Sequence, residues 1–379
     1  MILDPYPEDR DYQESVRAFA GEVVRPAAAA IDEEDRFPFA VIDRVRAEGL
    51  LGVTVPREWG GLGRNYLAYA LAVEAIGEAS ATVAVIVAVN NSLVAEPLAR
   101  FGSRAQKQRW LRRLAAGEWI GAFALSEAGA GTDAARIEAK AVSRGGGYLL
   151  NGEKTWVANA EAAKLGIVFA RIPDEAWGGV TAFIVPFDSP GVQLGARTLS
   201  LGVRGLGCFD IAFDNVRVAP EQVLGEPGAG FGVARWALNG GRVAIAAQAL
   251  GLAQAAVNEA VAYARQRHTF GKPIATYEAV QWMIADAATA IEASRVLTYR
   301  AATLRNVEAE ATVAASMAKL HASETASQAT NMAVQVFGAA GYRRGSTVER
   351  LFRDGRAVEI YQGTSEAQRL IISSAIIRA

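Results

Sequence analysis

The sequence is poor in the two residues that most metal and nucleophile sites depend on. Among its 379 residues it has one cysteine, Cys208, and two histidines, His268 and His321. A single cysteine excludes a disulfide framework and a cysteine-rich metal site. Two histidines exclude a three-histidine metal site and disfavour Ser-His-Asp catalysis. The sequence therefore predicts no metal centre.

Two nucleotide-binding motifs and a strong net charge are also absent. Neither GxGxxG nor GxxxxGK occurs, so the chain has neither a Rossmann dinucleotide fingerprint nor a P-loop. The net charge of -1 argues against a protein that binds nucleic acid through a basic face. We therefore expect no nucleic-acid partner.

Long apolar runs are missing as well. The longest, Val83 to Val89, is too short to cross a bilayer. The segment from Met1 to Arg10 has no apolar core and does not resemble a secretory signal. These observations predict a protein without a membrane span, located in the cytoplasm.

What the chain does have is a change of periodicity that predicts three domains. Residues 1–118 show helical spacing, with long Ala- and Val-rich helices expected at Tyr66–Ala79 and Thr82–Arg100. Residues 119–226 show strand spacing and turn signals, and residues 227–379 return to helical spacing. We expect an α+β multidomain protein with a helical domain, a β domain and a second helical domain.

The middle and C-terminal domains can be predicted in more detail. Asn151-Gly152 between two apolar segments predicts a tight hairpin turn, and Phe209, Ile211 and Phe213 alternate as in a half-buried strand. The C-terminal pattern predicts an antiparallel bundle of four helices, at approximately 231–266, 276–305, 309–340 and 364–378.

The most informative stretch is Arg353–Arg369, which reads Ile-Tyr-Gln-Gly-Thr-Ser-Glu-Ala-Gln-Arg from Ile360 onward. Ser365 and Gln368 have the spacing of a capping box, so we expect a helix to begin here. Gly363 allows a positive φ just before that helix. The stretch resembles the C-terminal signature of the acyl-CoA dehydrogenase family, commonly Ile-Tyr-Glu-Gly-Thr-Ser-Glu-x-Gln-Arg.

Further stretches resemble the same family in its order and spacing. They are the loop Ala124–Asp133, the segment Asn151–Asn159, the Arg-x-x-Phe-Gly segment around Arg267 and the stretch Gln335–Tyr342. Each motif is weak alone, but together they identify the chain as a member of the family. The resemblance implies a helical domain, a β-barrel domain and a four-helix bundle.

The resemblance also implies chemistry and partners. It implies FAD as cofactor, an acyl-CoA or other acyl thioester as substrate, a role in fatty acid metabolism, and an electron-transferring flavoprotein as acceptor. It further implies a homotetramer built as a dimer of dimers.

The resemblance assigns binding roles to individual positions. Those implied for FAD are Phe123, Leu125, Ser126, Gly131, Thr132, Trp156, Ala158, Arg267, Thr269, Phe270, Gln335, Val336, Gly338, Ala339, Thr364 and Glu366. Those implied for the substrate are Thr132, Asn239, Arg242, Tyr361 and Gly363.

The chain departs from the family at the catalytic base. The family carries a glutamate at the position of Gln362, or in a minority of members at that of Gly241. Neither position has a carboxylate here, and a neutral amide cannot act as a general base. In the family a hydroxyl also bonds flavin N5 where this chain has Ala158.

Several explanations stay open at this point. Another carboxylate such as Glu96 could act as the base, or the reaction could need no α-proton base. Gln362 could be an engineered change, although several departures together favour natural divergence. The protein could also bind acyl-CoA without catalysis. Finally, Gly240 and Gly241 predict room for a branched or bulky acyl group.

Overall fold

The structure is a computed structural model that describes residues 7–173, 179–307 and 311–378. Its N-terminal part is helical. The helices are α1 (Pro7–Phe19), α2 (Arg25–Glu34), α3 (Phe39–Ala47), α4 (Tyr66–Ala79), α5 (Ala81–Ala88), α6 (Glu96–Phe101), α7 (Arg104–Gln106) and α8 (Arg112–Ala115). Segments of π-helix, Ala20–Val24, Val89–Ala95 and Lys107–Leu111, join α1 to α2, α5 to α6 and α7 to α8.

The predicted long helices of this domain are confirmed. Helix α4 has the predicted bounds, and Asn65 caps it by accepting a hydrogen bond from the N–H of Ala68 at 2.7 Å. The continuous helical stretch Ala81–Phe101 includes the apolar run that the sequence shows. By length and composition alone it could cross a membrane, but its apolar window is completely buried, as in the core helix of a soluble protein.

The middle part is a curled seven-stranded sheet, as the β-domain prediction required. Its strands are β1 (Ile120–Ala124), β2 (Lys140–Arg144), β3 (Gly147–Val157), β4 (Ala163–Arg171), β5 (Val180–Pro186), β6 (Val192–Arg197) and β7 (Phe209–Val218). The order is β1-β4-β2-β3-β7-β6, and β5 pairs with β4. Strand β1 runs parallel to β4, whereas β2–β3, β3–β7, β4–β5 and β6–β7 are antiparallel.

The predicted hairpin turn at Asn151-Gly152 is wrong. Strand β3 runs without a break through both residues, and the turn lies earlier, at Gly145-Gly146 between β2 and β3. Gly152 instead marks an irregularity in the pairing of β3 with β7. A side chain there would meet Ala139 at 2.7 Å, so glycine serves a close approach and not a turn.

The C-terminal part contains five helices in the described residues. They are α9 (Gly230–Gln266), α10 (Glu278–Asn306), α11 (Thr312–Phe337), α12 (Thr347–Ala357) and α13 (Ser365–Arg378), with a small hairpin of β8 (His268–Thr269) and β9 (Lys272–Pro273) after α9. The four long helices are confirmed, although the predicted beginning at 309 falls outside the described residues. Helix α12 was missed, because its surface is rich in charged residues and reads as a polar segment.

Helix α9 is the centre of the molecule, since it packs against α4, α10 and α11. Its small residues permit close contact with α4. A side chain on Gly251 would lie 2.2 Å from the backbone oxygen of Glu74, so the two helices touch backbone to backbone. Position 241, which the motif analysis singled out, lies on this central helix.

Helix α12 ties the three parts together. The guanidinium of Arg353 forms two hydrogen bonds to the carboxylate of Asp32, at 2.7 and 2.6 Å. Next to it, the carboxylate of Asp354 accepts a hydrogen bond from the N–H of Val203 at 2.6 Å. The bundle therefore contacts the N-terminal helices and the middle domain through consecutive residues.

Candidate active site

The loop between α12 and α13 presents Gln362 to the core. Gln362 and Gly363 both have positive φ, at 53° and 98°. Two side chains hold the Gly363 carbonyl oxygen: Lys319 Nζ donates to it at 2.7 Å and Gln368 Nε2 at 2.9 Å. Tyr361 donates its hydroxyl to Gln248 on α9 at 2.6 Å. The conformation of the loop is thus fixed from both sides.

The cap of α13 differs from the predicted capping box. Thr364, and not Ser365, accepts the hydrogen bond from the N–H of Ala367, at 3.2 Å. The hydroxyl of Ser365 is buried without a hydrogen-bond partner, and the Gln368 side chain bonds the Gly363 carbonyl instead. Gln362 and Gly363, which both have positive φ, precede the helix, and its cap lies one residue earlier than predicted.

The structure brings the two candidate base positions into contact. An ideal Cβ on Gly241 would lie 1.9 Å from Gln362 Oε1 and 3.1 Å from Leu93 Cδ2. Gln362 Oε1 is buried and has no hydrogen-bond partner. Position 362 therefore occupies the space that a side chain at position 241 would need.

The predicted room for a bulky acyl group at Gly240-Gly241 is wrong. A Cβ on Gly240 would lie 2.6 Å from the Tyr66 hydroxyl and 2.9 Å from Arg305 Nη2. On Gly241 the space is taken by Gln362, as described above. Because larger side chains from other elements fill both positions, the glycines permit close packing and leave no additional cavity.

Two buried basic side chains, Arg242 and Lys319, lie near Gln362. Arg242 follows Gly241 on α9 and donates to Asn239 Oδ1 at 2.5 Å, while its Nε has no partner. Burial lowers the pKa of Arg242 to about 10. Burial likewise lowers the pKa of Lys319 to about 7, against an opposing effect of Glu359. Arg242 therefore makes the surroundings of the neutral Gln362 electropositive, and Lys319 contributes positive charge only below about pH 7.

Glu96, the alternative base named from the sequence, is occupied by other groups. One oxygen accepts the hydroxyl of Thr54 at 2.8 Å, and the other accepts Arg305 Nη2 at 3.2 Å. Burial raises the pKa of Glu96, and the Arg305 charge opposes that effect. Its carboxylate thus lies in an ion pair beside Gly240 and is not free to accept a proton in this arrangement.

The second part of the site is the loop Leu125–Glu127 after β1, which hydrogen bonds hold against β3. The ammonium of Lys154, fully buried, donates to the Leu125 carbonyl at 3.0 Å and to Glu127 Oε1 at 2.6 Å. Glu127 also accepts hydrogen bonds from the N–H groups of Glu138 and Ala139. Sequence reasoning missed this pair, because Lys154 lies in the polar stretch Asn151–Thr155, where no local signal marks it as buried.

The contact between this loop and β3 also brings two predicted cofactor residues, Ser126 and Trp156, close together. The N–H of Thr155 donates to the Ser126 carbonyl at 2.9 Å. Trp156 follows with a φ of 57°, and 62% of its surface is exposed. A tryptophan whose backbone is in the left-handed region and whose ring is exposed offers a flat surface on which an aromatic ligand can stack.

The remaining residues near this loop have mixed exposure. Leu125 is buried, Phe123 packs on Phe169 with ring centroids 4.9 Å apart, and Ala158 is partly buried. Gly131 has no atom within 4 Å of where its Cβ would lie, and Thr132 is exposed. Space for a ligand therefore exists at Gly131 and Thr132.

A further set of predicted cofactor residues lies at the far end of the bundle. Arg267 ends α9, and Phe270, with a φ of 50°, is 97% exposed on the small hairpin. The Thr269 carbonyl accepts the hydroxyl of Tyr277 at 2.9 Å. Since the stretch of α9 from Gly241 to Arg267 is about 39 Å long, one chain does not bring this set to Gln362.

The stretch Gln335–Ala339 belongs to that far end. Phe337 stacks on Tyr263 near the end of α9, with centroids 4.1 Å apart. Gln335, Gly338 and Ala339 are exposed, whereas Val336 is buried, so its side chain packs in the core. At the beginning of α13, Glu366 is exposed and Thr364 is partly buried.

Comparison with known proteins identifies the family and the fold. Three family models match along the chain: the acyl-CoA dehydrogenase N-terminal domain at residues 6–118, its middle domain at 122–216 and its C-terminal domain at 228–377. The chain belongs to the acyl-CoA dehydrogenase family.

Individual relatives of the acyl-CoA dehydrogenase family agree. The human mitochondrial short-chain specific acyl-CoA dehydrogenase is 42% identical over 367 residues, which is 97% of this chain and 89% of that protein. The structure of butyryl-CoA dehydrogenase from Megasphaera elsdenii has a TM-score of 0.97 at 36% identity, with 100% of both chains covered. A chain in a structure described as the electron transferring flavoprotein of Acidaminococcus fermentans has a TM-score of 0.98 at 36% identity, again over 100% of both chains.

Membership makes this protein an FAD-dependent oxidoreductase with the three-domain acyl-CoA dehydrogenase fold. The uncovered Trp156 and the fastened loop Leu125–Glu127 fit a flavin, so the residues present are consistent with the family cofactor. Gln362 departs from the family pattern together with Gly241 and Ala158.

Proposed function

We propose that this protein binds a short acyl thioester beside its FAD, and that its classical dehydrogenation is slow because no carboxylate stands at position 362 or 241. One observation carries the proposal: the Gln362 amide packs directly against Gly241, so one neutral group fills both base positions. The choice of a short acyl group is supported by the filled space at Gly240 and by the short-chain and butyryl names of the relatives.

Each part of the site has a role in this proposal. When bound, FAD supplies the acceptor for a hydride that leaves the substrate β-carbon. Trp156 and Thr132 would hold the flavin, and the Lys154–Glu127 pair keeps the loop of Ser126 in place. On the substrate side, Tyr361, Gly363 and Asn239 would bind the thioester, beside the positive charge of Arg242.

The missing step is removal of the α-proton. A general base contributes about 10²- to 10⁴-fold to such a step, and the Gln362 amide has no basic lone pair at ordinary pH. The buried positive charge of Arg242 favours negative charge on a bound thioester, and Lys319 adds to it below about pH 7. Binding is thus retained while proton removal is impaired.

An anaerobic titration of the flavin absorbance with acyl-CoAs of increasing length tests this proposal. We expect a shift of the oxidised flavin band on binding, with slow bleaching. Gln362→Glu should accelerate bleaching by about 10²- to 10⁴-fold, and Gln108→Glu, at an exposed position of the N-terminal domain, is the matched control. Rapid bleaching in the wild type would show that another group acts as base. A shift without bleaching in both proteins would favour other chemistry on the thioester or a binding protein.

We also propose a homotetramer, arranged as a dimer of dimers. Large apolar side chains lie exposed on the single chain, among them Phe270 at 97%, Tyr342 at 86% and Ile377 at 82%, and such surfaces mark interfaces. A partner subunit would also bring its Arg267 hairpin to this chain's flavin. Light scattering of the holoprotein should give four times the chain mass, and a monomer would contradict the proposal.

We propose an electron-transferring flavoprotein as the electron acceptor, supported by the neighbouring structure described under that name. Reduction of such a protein by the substrate-reduced enzyme, followed at the acceptor's own flavin, tests this assignment.

We further propose a cytoplasmic location, in line with the single cysteine. Cell fractionation would check it.

A further inference from the structure

Arg242 is a buried charge without a counterion. Its side chain is 9% exposed, it donates to the neutral Asn239 at 2.5 Å, and its Nε has no hydrogen-bond partner. Among the residues that the structure describes, no carboxylate lies within 4 Å of its guanidinium. Burial alone lowers the pKa of Arg242, with no acidic group to oppose the effect. Because a buried charge is costly unless it is paired, this arginine indicates an anionic ligand.

Arg242 lies beside the loop that carries Gln362, as two observations show. It follows Gly241 on α9, and a side chain at position 241 would meet Gln362 Oε1. The charge of Arg242 also lowers the pKa of Lys319, and Lys319 Nζ donates to the Gly363 carbonyl at 2.7 Å. An anion that pairs with Arg242 is therefore close to position 362.

The Gln362 amide has hydrogen-bonding capacity to spare. Its Oε1 is buried without a partner, whereas the residue as a whole is only partly buried, so its side chain borders open space. An amide can donate two hydrogens through Nε2, whereas an ionised glutamate only accepts and repels a second carboxylate. Gln362 thus suits an anionic ligand that a glutamate in the same place would reject.

A carboxylate on the substrate also removes the need for the missing base. Ordinary dehydrogenation requires a general base, because the α-carbon must lose a proton. When the α-carbon carries a carboxylate, loss of CO2 leaves the same electron pair on that carbon. No proton acceptor is then required.

We propose that this protein oxidises an α-carboxyacyl thioester with release of CO2. The bond between the α-carbon and the carboxylate breaks, and its electron pair forms the α,β double bond as the β-hydrogen leaves as a hydride, which FAD accepts. Gln362 donates a hydrogen bond to the carboxylate beforehand, and Arg242 balances the negative charge of the substrate. This inference rests on the proposed binding of a thioester at Gln362.

Malonyl-CoA and acetyl-CoA test recognition separately from oxidation. They differ only by an α-carboxylate, and neither has a β-hydrogen to transfer. Isothermal titration calorimetry of the holoprotein measures both affinities. We expect malonyl-CoA to bind about 10- to 100-fold more tightly than acetyl-CoA. Equal or weaker binding of malonyl-CoA would overturn the inference.

Ethylmalonyl-CoA and glutaryl-CoA test the reaction. They are isomers of equal charge, with the carboxylate on the α-carbon or at the end of the chain. Without oxygen, ethylmalonyl-CoA should bleach the flavin at least about 10²-fold faster than butyryl-CoA, with one CO2 and one crotonyl-CoA formed per flavin. Glutaryl-CoA should be no faster than butyryl-CoA. Bleaching without CO2, CO2 without bleaching, or equal rates for the two isomers would contradict the proposal.

Gln362→Glu should reverse the preference. The introduced carboxylate repels the α-carboxylate, so malonyl-CoA should bind more weakly than acetyl-CoA, and oxidation of ethylmalonyl-CoA should slow while that of butyryl-CoA accelerates. Gln108→Glu, at an exposed position of the N-terminal domain, adds the same charge elsewhere and should alter neither preference. An undiminished preference for malonyl-CoA in Gln362→Glu would contradict the role of the amide.

Arg242→Met removes the unpaired charge. It should lower the affinity for malonyl-CoA more than that for acetyl-CoA, whereas an equal loss for both ligands would show that Arg242 only shapes the site. If butyryl-CoA shifts the flavin band while ethylmalonyl-CoA is oxidised no faster, this inference fails and the proposed function stands. If no thioester shifts the band, both fail.

Discussion

The side-chain oxygen of Gln362 occupies the place of a Cβ on Gly241, 1.9 Å from its ideal position. These residues lie 121 positions apart in the chain, yet neither can change without regard to the other. In the observed rotamer the Gln362 side chain fills the space that a side chain at position 241 would need, so a larger residue at 241 would require Gln362 to move.

The first prediction concerns that contact. Gly241→Ala should destabilise the protein by about 1–3 kcal/mol, because the new methyl group overpacks against Gln362. With Gln362→Ala also present, the same change should stabilise by about 0.5–1 kcal/mol, the ordinary gain of alanine over glycine in a helix. Urea unfolding of the four proteins of this cycle measures the coupling.

Gly232→Ala, also on α9, serves as the control for that cycle. No atom lies within 4 Å of its Cβ position, so we expect only the helix-propensity gain there. If Gly241→Ala were as favourable as Gly232→Ala in the wild-type background, the contact between positions 241 and 362 would be wrong.

The second prediction is a pH dependence from Lys319. Burial lowers its pKa to about 7, from the usual 10.5. Between these values the unfolded chain binds a proton that the folded chain does not, so the free energy of unfolding rises with pH. From about pH 6.5 to about pH 9 the wild type should gain about 2 kcal/mol relative to Lys319→Met. Urea unfolding at both pH values measures this, and an unchanged difference would refute it.

The third prediction concerns the loop Leu125–Glu127, which the ion pair of Lys154 with Glu127 holds against β3. Lys154→Met leaves Glu127 without its buried partner and should cost about 3–5 kcal/mol, with loss of bound FAD that fluorescence detects. Adding Glu127→Gln should recover part of the stability. Arg356→Ala removes an ion pair whose arginine is 58% exposed, and it should cost at most about 1 kcal/mol. Equal effects of Lys154→Met and Arg356→Ala would speak against the structural role of the buried pair.

The fourth prediction is a pH dependence of opposite sign at Asp354. Burial raises its pKa to about 6, from 3.8, so between these values the folded chain holds a proton that the unfolded chain lacks. Stability therefore falls as pH rises through this window. Asp354→Asn retains an acceptor for the Val203 N–H but does not titrate.

Unfolding of the wild type and of Asp354→Asn, at about pH 4.5 and about pH 7, measures this effect. The variant should gain about 2 kcal/mol relative to the wild type as the pH rises. A constant difference would mean that Asp354 is ionised in the folded protein over the whole range.

Local patterns were sufficient for much of the fold. Helices α4 and α9 and strands β4, β5 and β7 follow from local sequence patterns. Strand β7 shows the alternation of a half-buried strand, whereas α4, β4 and β5 are apolar runs that are buried on nearly every side. Their place in a family fold followed from motifs that keep their order. Helix α12 and the continuous strand β3 were not found, because charged residues on α12 and the Asn-Gly pair in β3 resemble loop signals.

The sequence by itself determined the family, the helical and β domains, and the absence of a carboxylate at both base positions, since these depend on residue identity and local spacing. Only the tertiary structure decided that Gln362 fills the space at Gly241, that Tyr66 and Arg305 close the space at Gly240, and that Glu96 is held in an ion pair. These relationships join residues far apart in the chain. They depend on which side chains meet when helices from different domains pack, and no local pattern in the sequence encodes that.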